Sequence, residues 1–166
     1  MYRTIKDFAE NWDRESQATI IVFNNLTDDS LSQKVTEEGR SLGIIAWHTT
    51  QTLSELTEHA KIPIDSTADK EEIPDNIADI VSIYERDSKA VGEIVKASWA
   101  DEQLDDEIEM YGQKMKKGFV LAVLIAHQTH HRGQITVLMR QAGLRVPGIY
   151  GPAKEDWKEL GMPAVA

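Results

Sequence analysis

Three of the chain's five histidines lie within five residues of one another, in the segment AHQTHHRGQITVLMRQAG at residues 126–143. His127 and His131 are four residues apart, and on a helix this spacing places two side chains on the same face, about 6 Å apart. Two imidazoles placed in this way can bind one divalent ion, as in the zinc helices of metalloproteases, although the glutamate base of those helices is missing here. The spacing therefore predicts two ligands of a metal site.

His48 is the third candidate ligand. It lies on the apolar face of the second predicted helix with Ile45 and Thr52, and metal sites in helical bundles are built from side chains on facing helices. An inward histidine taken alone is more often a hydrogen-bonded core residue than a ligand. For His127 and His131 together the metal interpretation is favoured, because burying two neutral imidazoles without partners would cost on the order of several kcal/mol.

Other residues near these histidines are candidates for the surrounding pocket. His130 lies on an adjacent flank of the helix, where a surface or substrate-facing role is favoured over ligation. Gln134 is three residues beyond His131 and could orient a ligand or a bound water. Gln51, three residues beyond His48, is a further pocket candidate.

No general base is evident beside the predicted ligands. Glu55, seven residues past His48, is the nearest acid on the second helix, and an exposed acid on the helix surface is the favoured interpretation. His59 returns to the same face three turns away and is interpreted as structural. The chain contains no cysteine, which excludes disulfides, cysteine nucleophiles and thiolate metal sites. Any thiol chemistry would therefore use a thiol supplied from outside the protein.

The charge of the chain is uneven. The formal net charge of −10 argues against nucleic acid and anionic lipid as partners. Residues 110–154 nevertheless contain seven bases and no acid, and the bases are Lys114, Lys116, Lys117, Arg132, Arg140, Arg145 and Lys154. These bases either pair with acidic neighbours such as residues 101–109, or they attract a small anionic substrate to a nearby site.

The composition and hydropathy predict one domain covering residues 1–166. The start of the chain has no secretory leader pattern, and the longest apolar run, residues 119–126, is shorter than the ~18 residues of a membrane span. We therefore expect a cytoplasmic protein without a membrane partner.

Apolar residues at three-to-four spacing predict helices along most of the chain. Thr4 is predicted to cap the first helix, and further helices are predicted at residues 39–60, 76–99 and 117–142, with a short terminal helix at 153–160. Gly143 is expected to be the left-handed cap of the fourth helix. The acidic connector 100–113 is ambiguous and could be extended. Four long amphipathic helices without convincing strand pairs predict an all-α, antiparallel four-helix bundle.

Gly133 lies in the middle of the fourth predicted helix. A glycine there costs about 1 kcal/mol relative to alanine. We interpret it as a point of close approach for another helix or another subunit beside the metal.

His48 together with HQTHHRGQITVLMRQAG and the following LRVPGIYG resembles the DinB-like proteins of the DinB/YfiT superfamily, and the resemblance extends over essentially the whole chain. It implies an up-down-down-up four-helix bundle, often dimeric, with a divalent metal bound by three histidines. Those positions correspond here to His48, His127 and His131. Related members of the superfamily are transferases and isomerases that use thiols such as bacillithiol or mycothiol.

Two classes of function follow as expectations. The first is a metal-dependent hydrolase or bacillithiol-type S-transferase acting on small electrophiles, with zinc or nickel as the ion, because a three-histidine site leaves a coordination position open. The second is a non-catalytic, metal-stabilised binding or stress-response module. The expected partners are a second copy of the chain and a small anionic thiol or other small-molecule substrate.

Overall fold

The computed structural model describes residues 2–62, 64–68, 72–161 and 163. Within these residues the chain forms four α-helices and one pair of strands. In chain order they are α1 (Ile5–Phe23), α2 (Leu42–His59), α3 (Ile77–Ser98), β1 (Glu107–Met110), β2 (Gln113–Lys116) and α4 (Lys117–Gln141). Short 3₁₀ turns occupy Asp28–Ser32, Asp101–Asp105 and Lys154–Asp156. Each long helix ends within a few residues of its predicted bounds.

Local capping chemistry explains where the helices begin and end. The side chains of Thr4, Ser41 and Asn76 accept hydrogen bonds from the backbone three residues further on, at the starts of α1, α2 and α3. After α4, Gly143 has a φ of 76°, and the amide of Leu144 donates to the carbonyl of Met139 at 2.9 Å. This left-handed glycine confirms the predicted cap of the fourth helix.

The directions of the helices follow from contacts between their ends. The amide of Ile5 donates to Asp101 at 2.7 Å, so the start of α1 lies beside the end of α3. Gly118, at the start of α4, packs against Leu104, which places that start at the same end of the bundle. In the middle of α2 and α4, Gln128 donates to the carbonyl of Thr49 at 3.0 Å.

Tyr111 precedes α4 and its hydroxyl donates to Glu55, near the end of α2. Helices α2 and α4 are therefore antiparallel, as are α1 and α3, whereas α1 and α4 run in the same direction. This arrangement confirms the predicted up-down-down-up, four-helix bundle. Each helix packs against two neighbours, with α1 and α2 each contacting α3 and α4.

The core lies between the four apolar faces. Aromatic rings contribute much of its volume, and Phe8, Trp12, Phe23 and Tyr84 are all almost fully buried. The indole nitrogen of Trp12 donates to the carbonyl of Ser88 at 2.8 Å, which satisfies its one polar group. The core therefore joins α1 to α3 at fixed register, while α2 and α4 are held beside it.

The expectation of no strand pairs was wrong. Strands β1 and β2 form an antiparallel hairpin in which Ile108 lies opposite Met115. Its two turn residues, Tyr111 and Gly112, have φ angles of 51° and 73°, which is the left-handed pair that a tight two-residue hairpin turn requires. Glycine at the second turn position was the available sequence signal, and the charged strand residues around it obscured the pattern.

The predicted terminal helix at 153–160 is shorter than expected. Only Lys154–Asp156 forms a 3₁₀ turn, and the following residues continue as turns. Asp156 accepts from the amide of Ala153 at 2.9 Å, and its carboxylate also pairs with Arg145. A segment this short gains little from helix propagation, so these side-chain contacts decide its shape.

Candidate metal centre

The three predicted ligands lie together between α2 and α4. One ring nitrogen from each of His48, His127 and His131 lies within 4.8 Å of the other two. The ring of His48 is centred 5.1 Å from that of His127 and 4.8 Å from that of His131. Helices α2 and α4 pack side by side, so the one candidate ligand on α2, His48, faces the two on α4. Among the described residues, this is the one group of three or more such side chains that could hold a metal ion.

The orientation of His131 is set by Gln134, one turn further along α4. Nδ1 of His131 lies 2.7 Å from Oε1 of Gln134, and because an amide oxygen only accepts, Nδ1 carries the proton. The amide nitrogen of Gln134 donates to Nε2 of His130 at 3.2 Å. The unprotonated Nε2 of His131 is therefore directed towards Nε2 of His127.

His127 contacts His131 through one ring nitrogen and has its other ring nitrogen buried. Its Nε2 lies 3.0 Å from Nε2 of His131, and it must donate in that contact because Nε2 of His131 has no proton. Nδ1 of His127 is then an acceptor, and it is buried without a hydrogen-bond partner among the described residues. Such a group costs about 1–3 kcal/mol. A cation between the rings would replace this contact between the two Nε2 atoms, and Nδ1 of His127 would then carry the proton.

The spacing of these nitrogens suits two bonds to one ion. Two Zn–N bonds of about 2.0–2.1 Å at angles between square and tetrahedral separate their nitrogens by roughly 2.9–3.4 Å. The Nε2 atoms of His127 and His131 are 3.0 Å apart. The donor set fits zinc or nickel, and imidazole by itself does not choose between them.

The electrostatic surroundings keep these imidazoles neutral. Burial, the neighbouring histidines and Arg40 together lower the pKa of His127 to about 4, and burial is the largest of these causes. The pKa values of His48 and His131 are also lowered, in both cases chiefly by burial, and Arg40 contributes to each. A neutral imidazole presents a lone pair without first losing a proton, so the cluster is ready for a metal ion near neutral pH.

Two cavities flank the histidines, and both are bordered by Arg40. The His48 cavity, of about 640 Å³, is lined by Arg40, Ile44, Trp47, His48, Gln51, Glu72 and Ile73. The His131 cavity, of about 490 Å³, is lined chiefly by Val35, Arg40, Ile45, His131, Gln134, Val137 and Leu138. Arg40 and Glu72 were not identified from the sequence. Arg40 falls within the predicted bounds 39–60 of the second helix but lies before the start of α2, and Glu72 lies in the segment between α2 and α3. Only the tertiary structure brings the two residues to the site.

The remaining candidates occupy different positions. His130 is exposed and lines the His131 cavity, and its substrate-facing role stays a prediction. Gln51 lines the His48 cavity, and its amide donates to the carbonyl of Ala68 at 3.0 Å. Glu55 accepts from the hydroxyl of Tyr111 at 2.5 Å and lines neither cavity. His59 packs on the same tyrosine ring, so these last two residues support the hairpin.

The bases of residues 110–154 are mostly paired with acids. Each ion pair joins one of these bases to a carboxylate on a neighbouring element, and the pairs are Lys114–Glu107, Lys116–Asp105, Lys117–Asp106, Arg132–Glu15, Arg140–Glu155 and Arg145–Asp156. Of the two interpretations of this segment, the structure therefore favours pairing with acidic neighbours. The positive side chain that faces the histidines is Arg40.

A buried ion pair lies directly behind the ligand helix. Arg132 follows His131 in the sequence and points to the opposite side of α4, where its guanidinium lies 2.5 Å from the carboxylate of Glu15. It also donates to the hydroxyls of Thr19 and Tyr150. Both charged residues of the pair are almost fully buried. This pair ties α4 to α1 at the level of the histidines.

A second buried link joins three helices beside the site. Gln128 accepts from the hydroxyl of Tyr84 at 2.9 Å and donates to the carbonyl of Thr49 at 3.0 Å. Gln128 follows His127, and Thr49 follows His48. The hydrogen bond therefore fixes the two ligand-bearing helices in register one residue away from the ligands themselves.

Comparison with known proteins agrees with this fold. The family model described as DinB family matches residues 1–162. The Bacillus subtilis (strain 168) protein named "Uncharacterized protein YrdA" is 43% identical over 164 residues, which are 99% of this chain and 98% of that protein. The crystal structure of a DinB-like protein from Bacillus cereus ATCC 10987 has a TM-score of 0.86 at 35% identity and covers 90% of this chain and 100% of that one.

A more distant DinB-like protein, YjoA of Bacillus subtilis, supports the fold alone. Its crystal structure has a TM-score of 0.70 at 19% identity, and the match covers 89% of this chain and 99% of that one. Within the described residues, no helix combines the length and the apolar character that crossing a membrane requires.

Proposed function

The chain belongs to the DinB family, and on this premise we propose that it binds one divalent ion, zinc or nickel, through His48, His127 and His131. The observation that carries the proposal is the convergence of three neutral imidazoles on one point, with ring nitrogens within 4.8 Å of one another. The 3.0 Å spacing of the Nε2 atoms of His127 and His131 and the Gln134 contact that orients His131 support the same assignment.

Metal analysis of the purified protein tests this assignment. Replacing any of the three histidines by alanine should reduce the metal content sharply, because a site with two remaining imidazoles binds a divalent ion weakly. His59→Ala is the matched control, since His59 is on α2 but packs on Tyr111. Full occupancy in all three variants would show that the ion binds elsewhere.

We further propose that the site activates a small thiol or a water molecule for transfer to an electrophile. An ion held by three histidines supplies Lewis-acid chemistry and lowers the pKa of a coordinated water or thiol towards neutrality. The protein's own groups have two roles. Gln134 holds the ring of His131 in place, and the apolar walls of the His131 cavity exclude water from an electrophile bound there. The thiol comes from solution, because the chain has no cysteine.

In the thiol reaction, a bond forms between the thiolate sulfur and an electrophilic carbon. The leaving group departs with its electron pair, and the thiol proton passes to solvent. The assay is conjugation of bacillithiol to monochlorobimane by zinc-loaded or nickel-loaded protein, with His131→Ala as the comparison. A metal-dependent rate that His131→Ala abolishes is the expected result.

A non-catalytic, metal-stabilised binding module is the second candidate. It is favoured by the position of Glu55, whose carboxylate is held by Tyr111 and lines neither cavity. If wild-type protein with its metal bound gives only the rate of His131→Ala across several thiols and hydrolysable esters, the transfer proposal is wrong. The metal would then act through stability, which thermal unfolding with and without the ion measures directly.

A further inference from the structure

Arg40 occupies an unusual position among the arginines near the site. It is exposed and borders both the His48 and His131 cavities. Within the described ranges, no carboxylate lies at ion-pair distance from it, whereas Arg132, Arg140 and Arg145 are all paired. Its charge also contributes to the lowered pKa values of all three histidines. Among the described residues, the guanidinium of Arg40 at the edge of the histidine cluster therefore has no ion-pair partner.

The wall of the His131 cavity beyond Arg40 is largely apolar. Val35 and Val137 line it with 62% and 51% of their surfaces exposed, and Ile45 and Leu138 are buried below them. A ligand that covers exposed aliphatic side chains removes apolar surface from water, and this burial favours binding. A volume of about 490 Å³ lies within the range of small-molecule sites, about 300–1,000 Å³.

We propose that the His131 cavity binds a small monocarboxylate with an apolar group. Arg40 binds the carboxylate, the walls formed by Val35 and Val137 cover the apolar group, and the reactive part of the molecule is directed towards His131. This last element rests on the proposed function, because it requires the metal-centred reaction. The carboxylate subsite itself rests only on Arg40 and the cavity.

The chemistry of Arg40 favours a carboxylate over a phosphate. One guanidinium matches one planar carboxylate with two parallel N–H donors. Phosphate carries more charge and more acceptor oxygens than a single guanidinium can satisfy. The formal net charge of −10 on the chain also opposes binding of a multiply charged anion. Arg40 would therefore favour electrophiles or thiols that carry one negative charge and an apolar group.

Calorimetric titration with hydrocinnamate and its neutral isostere hydrocinnamamide tests the subsite. The wild-type protein should bind the carboxylate about tenfold more tightly than the amide, as a hydrogen bond to a charged group implies. Arg40→Gln should remove this preference and leave the affinity for the amide unchanged. Lys34→Gln is the matched control, because it removes the same charge from the same connecting segment but lines neither cavity.

Each titration is made with zinc-loaded protein and with EDTA-treated protein, and the zinc content of each sample is measured. Labelled methyl groups of Val35 and Val137 report by NMR whether the ligand enters the cavity. Equal affinity for the two ligands, or a preference that persists in Arg40→Gln, would overturn the inference. A preference that appears only with zinc and survives Arg40→Gln would place the carboxylate on the metal and also overturn it.

The outcomes for the metal and for the carboxylate are separable. If the wild-type protein takes up no zinc but Arg40 still determines the carboxylate preference, the proposed function fails and the carboxylate subsite stands. If zinc binds through the three histidines and the carboxylate preference is absent, the proposed metal site stands and the carboxylate subsite fails.

Discussion

Nδ1 of His131 lies 2.7 Å from Oε1 of Gln134, one turn further along α4. Because the amide oxygen can only accept a hydrogen bond, this contact fixes the proton on Nδ1 and leaves Nε2 of the same ring facing His127. The amide nitrogen is in turn occupied by His130. A residue that is not itself one of the three candidate ligands thus decides which nitrogen of His131 can bind an ion.

Replacing Gln134 by leucine should weaken zinc binding by about 10–100-fold, the usual effect of removing the group that orients a metal-binding histidine. Competition with a chromophoric chelator measures the affinity. Gln134→Glu should restore it, because a carboxylate also accepts from Nδ1. Gln141→Leu is the control at the end of the same helix, and an equal loss of affinity there would contradict the orienting role.

Glu15 and Arg132 form a buried pair that should dominate the stability of the α1–α4 contact. Glu15→Leu should lower the free energy of unfolding by about 3–5 kcal/mol, because it leaves the Arg132 charge buried without its carboxylate. Adding Arg132→Met should recover much of the loss. Urea denaturation monitored by circular dichroism gives these values.

The exposed pair between Arg145 and Glu159 provides the comparison. Breaking it with Glu159→Gln should change the free energy of unfolding far less than Glu15→Leu does, because solvent screens an exposed pair. Similar decreases in the free energy of unfolding for the two variants would show that the buried Glu15–Arg132 pair does not stabilise the fold more than an exposed pair does.

The stability of the protein should fall in acid partly because of Glu15. Burial would raise the pKa of this carboxyl, but hydrogen bonds from Tyr150 and Arg132 outweigh burial and hold the pKa below its ordinary value of 4.5. The folded state therefore holds fewer protons on this group than the unfolded chain does. Its stabilising contribution is present above the ordinary pKa and is lost as the pH falls through the lowered one.

Urea midpoints measured from pH 7 to pH 3 test this dependence. The curve for Glu15→Gln should be flatter than that of the wild-type protein on the acid side, although the variant is less stable at neutral pH. Parallel curves for the two proteins would assign the acid sensitivity to other groups.

Substitution of Gly133 tests whether a second copy of the chain packs against α4. A methyl group added at this exposed position would meet nothing within 4 Å, so no helix of the described chain approaches it closely, and the subunit alternative remains a prediction. Gly133→Ala should stabilise an isolated chain by about 1 kcal/mol. If a partner subunit packs there, the same change should instead weaken the dimer.

Light scattering across micromolar concentrations measures the oligomeric state of both proteins. A monomeric wild-type protein would remove the homodimer prediction. A dimer unaffected by Gly133→Ala would place the interface on another surface.

The sequence by itself determined the helices and the identity of the three candidate ligands. Thr4 and Gly143 mark helix ends through local hydrogen bonding and backbone conformation, which depend on nearby residues. His127 and His131 share a face because of the helical repeat, and that relation survives any tertiary arrangement.

Only the tertiary structure decided which groups surround the ligands and which charges are already paired. Arg132 and Arg40 are both bases close to histidines, and sequence periodicity does not distinguish their environments. The packing of α1 against α4 gives Arg132 a buried carboxylate, Glu15, from far away in the chain. The segment before α2 instead places Arg40 at the cavities. Long-range packing, which no local pattern encodes, sets the partner of each charge and therefore which one can meet a ligand.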